Sequence, residues 1–199
     1  LHYESTGLGR FHVKDIPVEL GLSMSFTSTP NYSMADSLKP RAGYAIGPSW
    51  KSHDTLYALA SLSEDLTHEI TSTQVNRDTI KFDILYQSKL ANGATILQRY
   101  TLSKQNVSIT SRIENAHANV DSVYFTVPLL VSTGLSESNI GEFPGKITVN
   151  YLGHRYIVEF EKNNTVVMDK ELFANRNGIY RNLIIRSAGN QMLVNLKLE

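Results

Sequence analysis

The residues best suited to chemistry by type and spacing stand in the opening segment, Tyr3-Glu4-Ser5-Thr6-Gly7-Leu8-Gly9-Arg10-Phe11-His12. Arg10 and His12 are two positions apart, so on an extended strand they share a face with Leu8 and Lys14. Gly7 and Gly9 remove two side chains that would otherwise keep a ligand or a second backbone at a distance. A histidine beside an arginine can donate or accept a proton next to a bound carboxylate. Arg10 and His12 are therefore the catalytic candidates, with Tyr3 as an aromatic contact on the same segment. The alternative is a solvated strand face or a contact between domains.

A second constellation is aromatic. Trp50, the one tryptophan, together with Tyr44 and Tyr57 could offer flat faces for the C–H side of a pyranose ring. Tyr44, Ile46, Pro48 and Trp50 also share strand parity, so the same residues read equally well as one apolar core face.

Other chemistry has little foothold. Glycoside hydrolysis needs two carboxyl groups facing across a cleft, but Glu64-Asp65, Glu137, Glu142 and Asp169 with Glu171 all sit in polar, turn-like contexts. His53-Asp54 and His154 occupy hairpin tips. No Gly-x-Ser-x-Gly elbow, phosphate-binding loop or dinucleotide fingerprint occurs. There is no cysteine, hence no disulfide or thiolate chemistry. No pair of histidines shares a strand at ligand spacing, so no metal site is expected, and nothing points to a cofactor.

Nineteen basic residues balance nineteen acidic ones, which leaves no basic surplus of the kind that phosphate-backbone binding requires; nucleic acid is not an expected partner. No apolar run approaches the length of a membrane helix. The chain opens on Leu1-His2-Tyr3 without an initiator methionine, and is read as a piece of a longer polypeptide.

The elements that must position these side chains are strands. Between Thr79 and Val131 four runs follow one another: Thr79 to Tyr86, Thr95 to Leu102, Val107 to Ile113 and Val123 to Leu130. Ile80, Phe82 and Ile84 alternate with Lys81 and Asp83, as on a half-buried strand. Ala91-Asn92-Gly93 and Ser103-Lys104-Gln105-Asn106 supply hairpin turns, so the expectation is a four-strand antiparallel meander with one apolar face. Upstream, residues 1–33 read as two strands broken at Ile16-Pro17, and Tyr32 to Pro40 as a surface loop with one helical turn at Met34 to Leu38. A hairpin follows, Ala42 to Trp50 returning as Leu56 to Leu62, then a strand from His68 to Gln74. Ser132 to Gly145 is expected to be a long connection, and five short strands complete the tail: Ile147–Tyr151, Tyr156–Glu161, Thr165–Met168, Ile179–Ser187 and Gln191–Leu198. No 3.6-residue period persists, so the expected class is all-β with little helix: one large antiparallel sandwich over residues 1–199.

The order Phe82-Asp-Ile-Leu-Tyr86, Gly93 to Leu102 with its Arg99-Tyr100-Thr101-Leu102, Val107-Ser-Ile-Thr110 and Val123 to Leu130 resembles the β-supersandwich of the galactose-mutarotase-like superfamily. More narrowly, residues 41–198 are similar to the C-terminal sheet domain of heparinase II/III-like and related polysaccharide-degrading enzymes, which follows an (α/α) toroid. The resemblance implies a C-terminal module of a periplasmic or secreted lyase or glycoside hydrolase. Its partners would be a polysaccharide or oligosaccharide and an upstream catalytic domain of the same chain, which it would brace while lining the cleft. A non-catalytic carbohydrate-binding module using Tyr44 and Trp50, and a purely structural domain, are the alternatives. The chain departs from the pattern in two places. Mutarotases carry an Asn-His-x-Tyr-Phe-Asn element, whereas the matching stretch, Asp121-Ser-Val-Tyr-Phe-Thr126, lacks the histidine; the His/Asp metal site of heparinase-like domains is also missing.

Overall fold

The computed structural model describes residues 8–22, 35–38, 46–52, 54–60, 62, 66–88, 93–115, 120–175 and 177–199. Among these are thirteen strands: β1 Gly47–Ser52, β2 Thr55–Ala58, β3 Leu66–Val75, β4 Thr79–Ser88, β5 Ala94–Ser103, β6 Asn106–Asn115, β7 Ser122–Ser132, β8 Asn139–Phe143, β9 Lys146–Tyr151, β10 His154–Phe160, β11 Thr165–Asn175, β12 Gly178–Ala188 and β13 Gln191–Leu198. Helix among them is confined to short 3-10 turns, Asp36–Leu38 being one, and none is long and apolar enough to cross a membrane. The strands form an eight-stranded sheet, β3-β4-β5-β6-β13-β10-β9-β8, and a five-stranded sheet, β11-β12-β7-β1-β2, each antiparallel throughout. The all-β sandwich read from periodicity is the observed class.

Side chains from both sheets meet in one apolar cluster. Ile96, Ile109, Ile113, Tyr156, Val158, Val194 and Leu196 come from the large sheet; Trp50, Val123, Phe125, Val127, Leu183 and Ile185 come from the small one. β7 and β12 approach β13, which puts the middle of the small sheet over the middle of the large one. A five-stranded sheet centred there reaches two strand spacings, about 10 Å, to either side. Beyond it β3 and the start of β4 form an overhanging wing on which Ile70, Val75 and Ile80 stay exposed, while Tyr86 near the end of β4 still belongs to the core.

The meander prediction was right in its strands and wrong in its last pairing. β4, β5 and β6 pair in sequence, but β7 crosses to the other sheet, between β12 and β1. The physical reason is visible in the run itself. β4 to β6 alternate apolar with polar residues, whereas β7 buries Val123, Phe125, Val127 and Leu129 on one face and Thr126, Pro128 and Leu130 on the other. Such a strand needs cover on both sides and a neighbour at each edge. Pro128, awkward in a central strand, lies past the last pair that β1 makes with β7, Gly47↔Thr126.

Three other expectations change. Residues 8–22 do not form strands but a strap of turns, with one bridge at Arg10 and the Phe11 amide donating to the Leu22 carbonyl at 3.0 Å. Leu20 and Leu22 are buried in the sandwich, and a β-carbon on Gly21 would stand 2.0 Å from the Phe11 carbonyl oxygen, so the strap closes only around glycine. The connection expected from Ser132 to Gly145 contains β8, a short edge strand held by Ile140 against the core. β11 continues past Met168 through an irregularity to Asn175. The helical turn is present at Asp36–Leu38, whereas residues 23–34 and 39–45 lie outside the described residues.

Candidate functional site

The strap delivers Arg10 to one end of the sandwich. Phe11 and Val13 pack on the core while Arg10, His12 and Lys14 are exposed between them, an extended alternation. Leu8, expected beside Arg10, turns inward: it packs on the core and its backbone bonds the Tyr100 hydroxyl, which in turn donates to Gln98 Oε1 at 2.8 Å. Gln98 then donates to Ser111 Oγ at 3.3 Å, so this inner polar chain is satisfied residue by residue.

Arg10 comes close enough to Tyr180, at the start of β12, for its charge to act on that hydroxyl. The hydroxyl donates to the Glu19 carbonyl on the strap at 2.8 Å, and Asn175, at the end of β11, hydrogen-bonds to it. Burial pushes the Tyr180 phenol well above its ordinary range, and the Glu19 charge adds to that, while Arg10 and Asn175 oppose it. The group is a hydrogen-bonding hydroxyl, not a base, at neutral pH. Next to it, Tyr151 at the end of β9 shares a hydrogen bond of 3.0 Å with Thr133, just beyond β7. Two apolar loop tips stand at this same end: Leu135, 96% exposed after Gly134, and Leu152, which takes a positive φ of 50° in the β9–β10 turn. Arg10, Glu19, Tyr151, Asn175 and Tyr180 thus form a polar mouth framed by strand ends.

Tyr151, Asn175 and Tyr180 are buried and already hydrogen-bonded within the protein, so Arg10 is the group this cluster presents to solvent. Among the described residues no three of His, Cys, Asp or Glu converge as a metal would require. Only Arg10 of this mouth was singled out in the sequence. Glu19, Tyr151, Asn175 and Tyr180 carry no local signature, because Glu19 and Tyr180 are 161 positions apart and meet only through the strap.

The aromatic platform requires correction. Trp50 is fully buried, stacked on Tyr57 with ring centroids 5.7 Å apart, and presents no face to a ligand. Its parity with Pro48 and Ile46, both buried, is that of the core. Tyr3 and Tyr44 lie outside the described residues. His154 pairs with Tyr151 across the β9–β10 turn, as a hairpin residue.

No family model matches the chain, and no curated protein matches its sequence. Among solved structures, a heparinase III matches 68% of this chain and 23% of its own length, with 8% identity and a TM-score of 0.50. The α-N-acetylgalactosaminidase NagBb from Bifidobacterium bifidum, in complex with GalNAc, matches 77% of this chain and 30% of its own, with 12% identity and a TM-score of 0.53. The chain therefore spans less than a third of either structure. At such identities the likeness concerns architecture alone: a large antiparallel β-sandwich that recurs as part of both structures.

Proposed function

We propose that this chain is a single β-sandwich module, C-terminal in a longer carbohydrate-degrading enzyme, and that the polar mouth around Arg10 lines the glycan cleft. The enzyme would be a lyase or a glycoside hydrolase, periplasmic or secreted, with its principal catalytic residues on an upstream domain. One observation carries the reading: the architecture recurs as a fraction of a heparinase and of a glycosidase, and this chain places charged and hydroxyl groups together at one end of it. The two exposed leucine tips at that end suit contact with a neighbouring domain. His12, exposed beside Arg10, would share in proton transfer, with Tyr3 and Tyr44 as sugar contacts.

The test uses the full-length protein. Arg10→Ala and His12→Ala should each lower kcat/KM by about tenfold or more if the mouth faces substrate. A module that only braces its neighbour would leave both variants at the parental rate, which would overturn the cleft assignment.

A further inference from the structure

The outer face of the small sheet carries a second arrangement, remote in sequence from the polar mouth. Arg186 on β12 lies across from Tyr124 on β7, in register, and Tyr124 lies across from Ser49 on β1. In the adjacent row Ala188, Ser122 and Lys51 align in the same way. The Arg186 guanidinium donates to the buried Ser122 hydroxyl through both Nε, at 3.2 Å, and Nη2, at 3.0 Å. Its Cζ stands 5.9 Å from the centre of the Tyr124 ring.

These contacts orient the cation without neutralising it. A serine hydroxyl and a ring face carry no full negative charge, and Arg186 makes no ion pair with a carboxylate among the described residues. The Nη1 edge is left for an external acceptor. Most surface arginines are mobile and partly paired; this one has lost rotamer freedom in advance, which lowers the entropy cost of binding an anion. Lys51 supplies a second positive charge on the same face, two strand spacings or about 10 Å across the sheet. Its contact with Asp54 at 3.9 Å joins two exposed groups and is worth little. Exposed neighbours Leu56 and Val167 and the ring of Tyr124 provide apolar surface between and beside the charges.

We propose that this face is an accessory binding site for an anionic glycan, one sugar carboxylate or sulfate bidentate on Arg186 and a neighbouring anionic sugar near Lys51. The choice of a glycan over other anions rests on the function proposed above; the demand for a negative charge rests on Arg186 alone. Bidentate recognition is what a planar guanidinium does and an ammonium does not.

Affinity for heparin-type and oligogalacturonate fragments should be measured on the purified chain by calorimetry at low salt, beside a neutral oligosaccharide of equal length. Wild type should bind an anionic fragment and weaken with salt. Arg186→Lys, which keeps the charge, should bind about tenfold more weakly, as should Ser122→Ala, while Lys104→Ala, exposed in the β5–β6 turn, should bind as wild type. Equal binding by Arg186→Lys and wild type would overturn the site. Binding of neutral fragments alone would overturn it too, yet leave the glycan reading intact. Binding of inorganic sulfate with the same dependence on Arg186, and of no saccharide, would reduce the site to a simple anion cradle and count against the glycan reading as well.

Discussion

The two halves of the eight-stranded sheet use the same alternation and end in opposite environments. Under the small sheet, Val158 on β10 and Val194, Leu196 and Leu198 on β13 are wholly buried. On the wing, Ile70, Val75 and Ile80 remain 62%, 70% and 44% exposed, although pairing with β4 puts them on the same face as Phe82 and Ile84. An irregularity between Ile70 and Ser72 shifts parity by one, so that Ile70 and Val75 both face this way despite their odd spacing. Alternation selects a face; whether that face is dry depends on how far the opposite sheet extends.

If that contrast is correct, removing the dry environment should cost most where the most is buried. Tyr100, Tyr156 and Tyr180 lie under the covered part, and burial raises each phenol above its unfolded value of about 10. Their stabilising effect is complete below about pH 10 and falls as pH rises above it, because the unfolded chain ionises first; three such groups amount to roughly 4 kcal/mol per pH unit. Phenolate absorbance should therefore appear together with the loss of β-sheet circular dichroism. Three phenols titrating while the fold persists would contradict their burial.

A single truncation comes next. Leu196→Ala should cost about 2–5 kcal/mol in denaturant titration, through lost burial and an unfilled cavity. Two tyrosines sharpen the comparison within the covered region. Tyr180→Phe forfeits the bond to Glu19 and should cost about 1 kcal/mol, whereas the Tyr156 hydroxyl is buried without a partner, so Tyr156→Phe should be neutral or stabilising. Smallest is the wing: Ile70→Thr should change stability by about 0.5 kcal/mol or less. A loss there as large as that of Leu196→Ala would mean that the wing is covered in solution.

Legibility followed the same division. β4, β5, β6, β9, β10, β12 and β13 were readable to within a few residues because alternation and Asn or Gly turns coincide at their borders. β8 was missed because Asn139–Phe143 holds one inward aliphatic, Ile140, too little for a pattern. The strap misled because Phe11 and Val13 alternate as a strand would, while the turns around Asp15 and Pro17 stop it pairing. Of the polar mouth, Arg10 was visible as an unusual neighbour of glycine and histidine; Tyr180 looked like any strand aromatic.

What the residues determined by themselves is local: where most strands begin and end, and which side of each is apolar. What only the tertiary structure decided is which strands share a sheet, that Trp50 is interior, and that Arg10, Glu19 and Tyr180 meet. The reason is physical, since strand propensity and parity act over a few residues, whereas sheet membership and burial depend on contacts between segments more than a hundred positions apart.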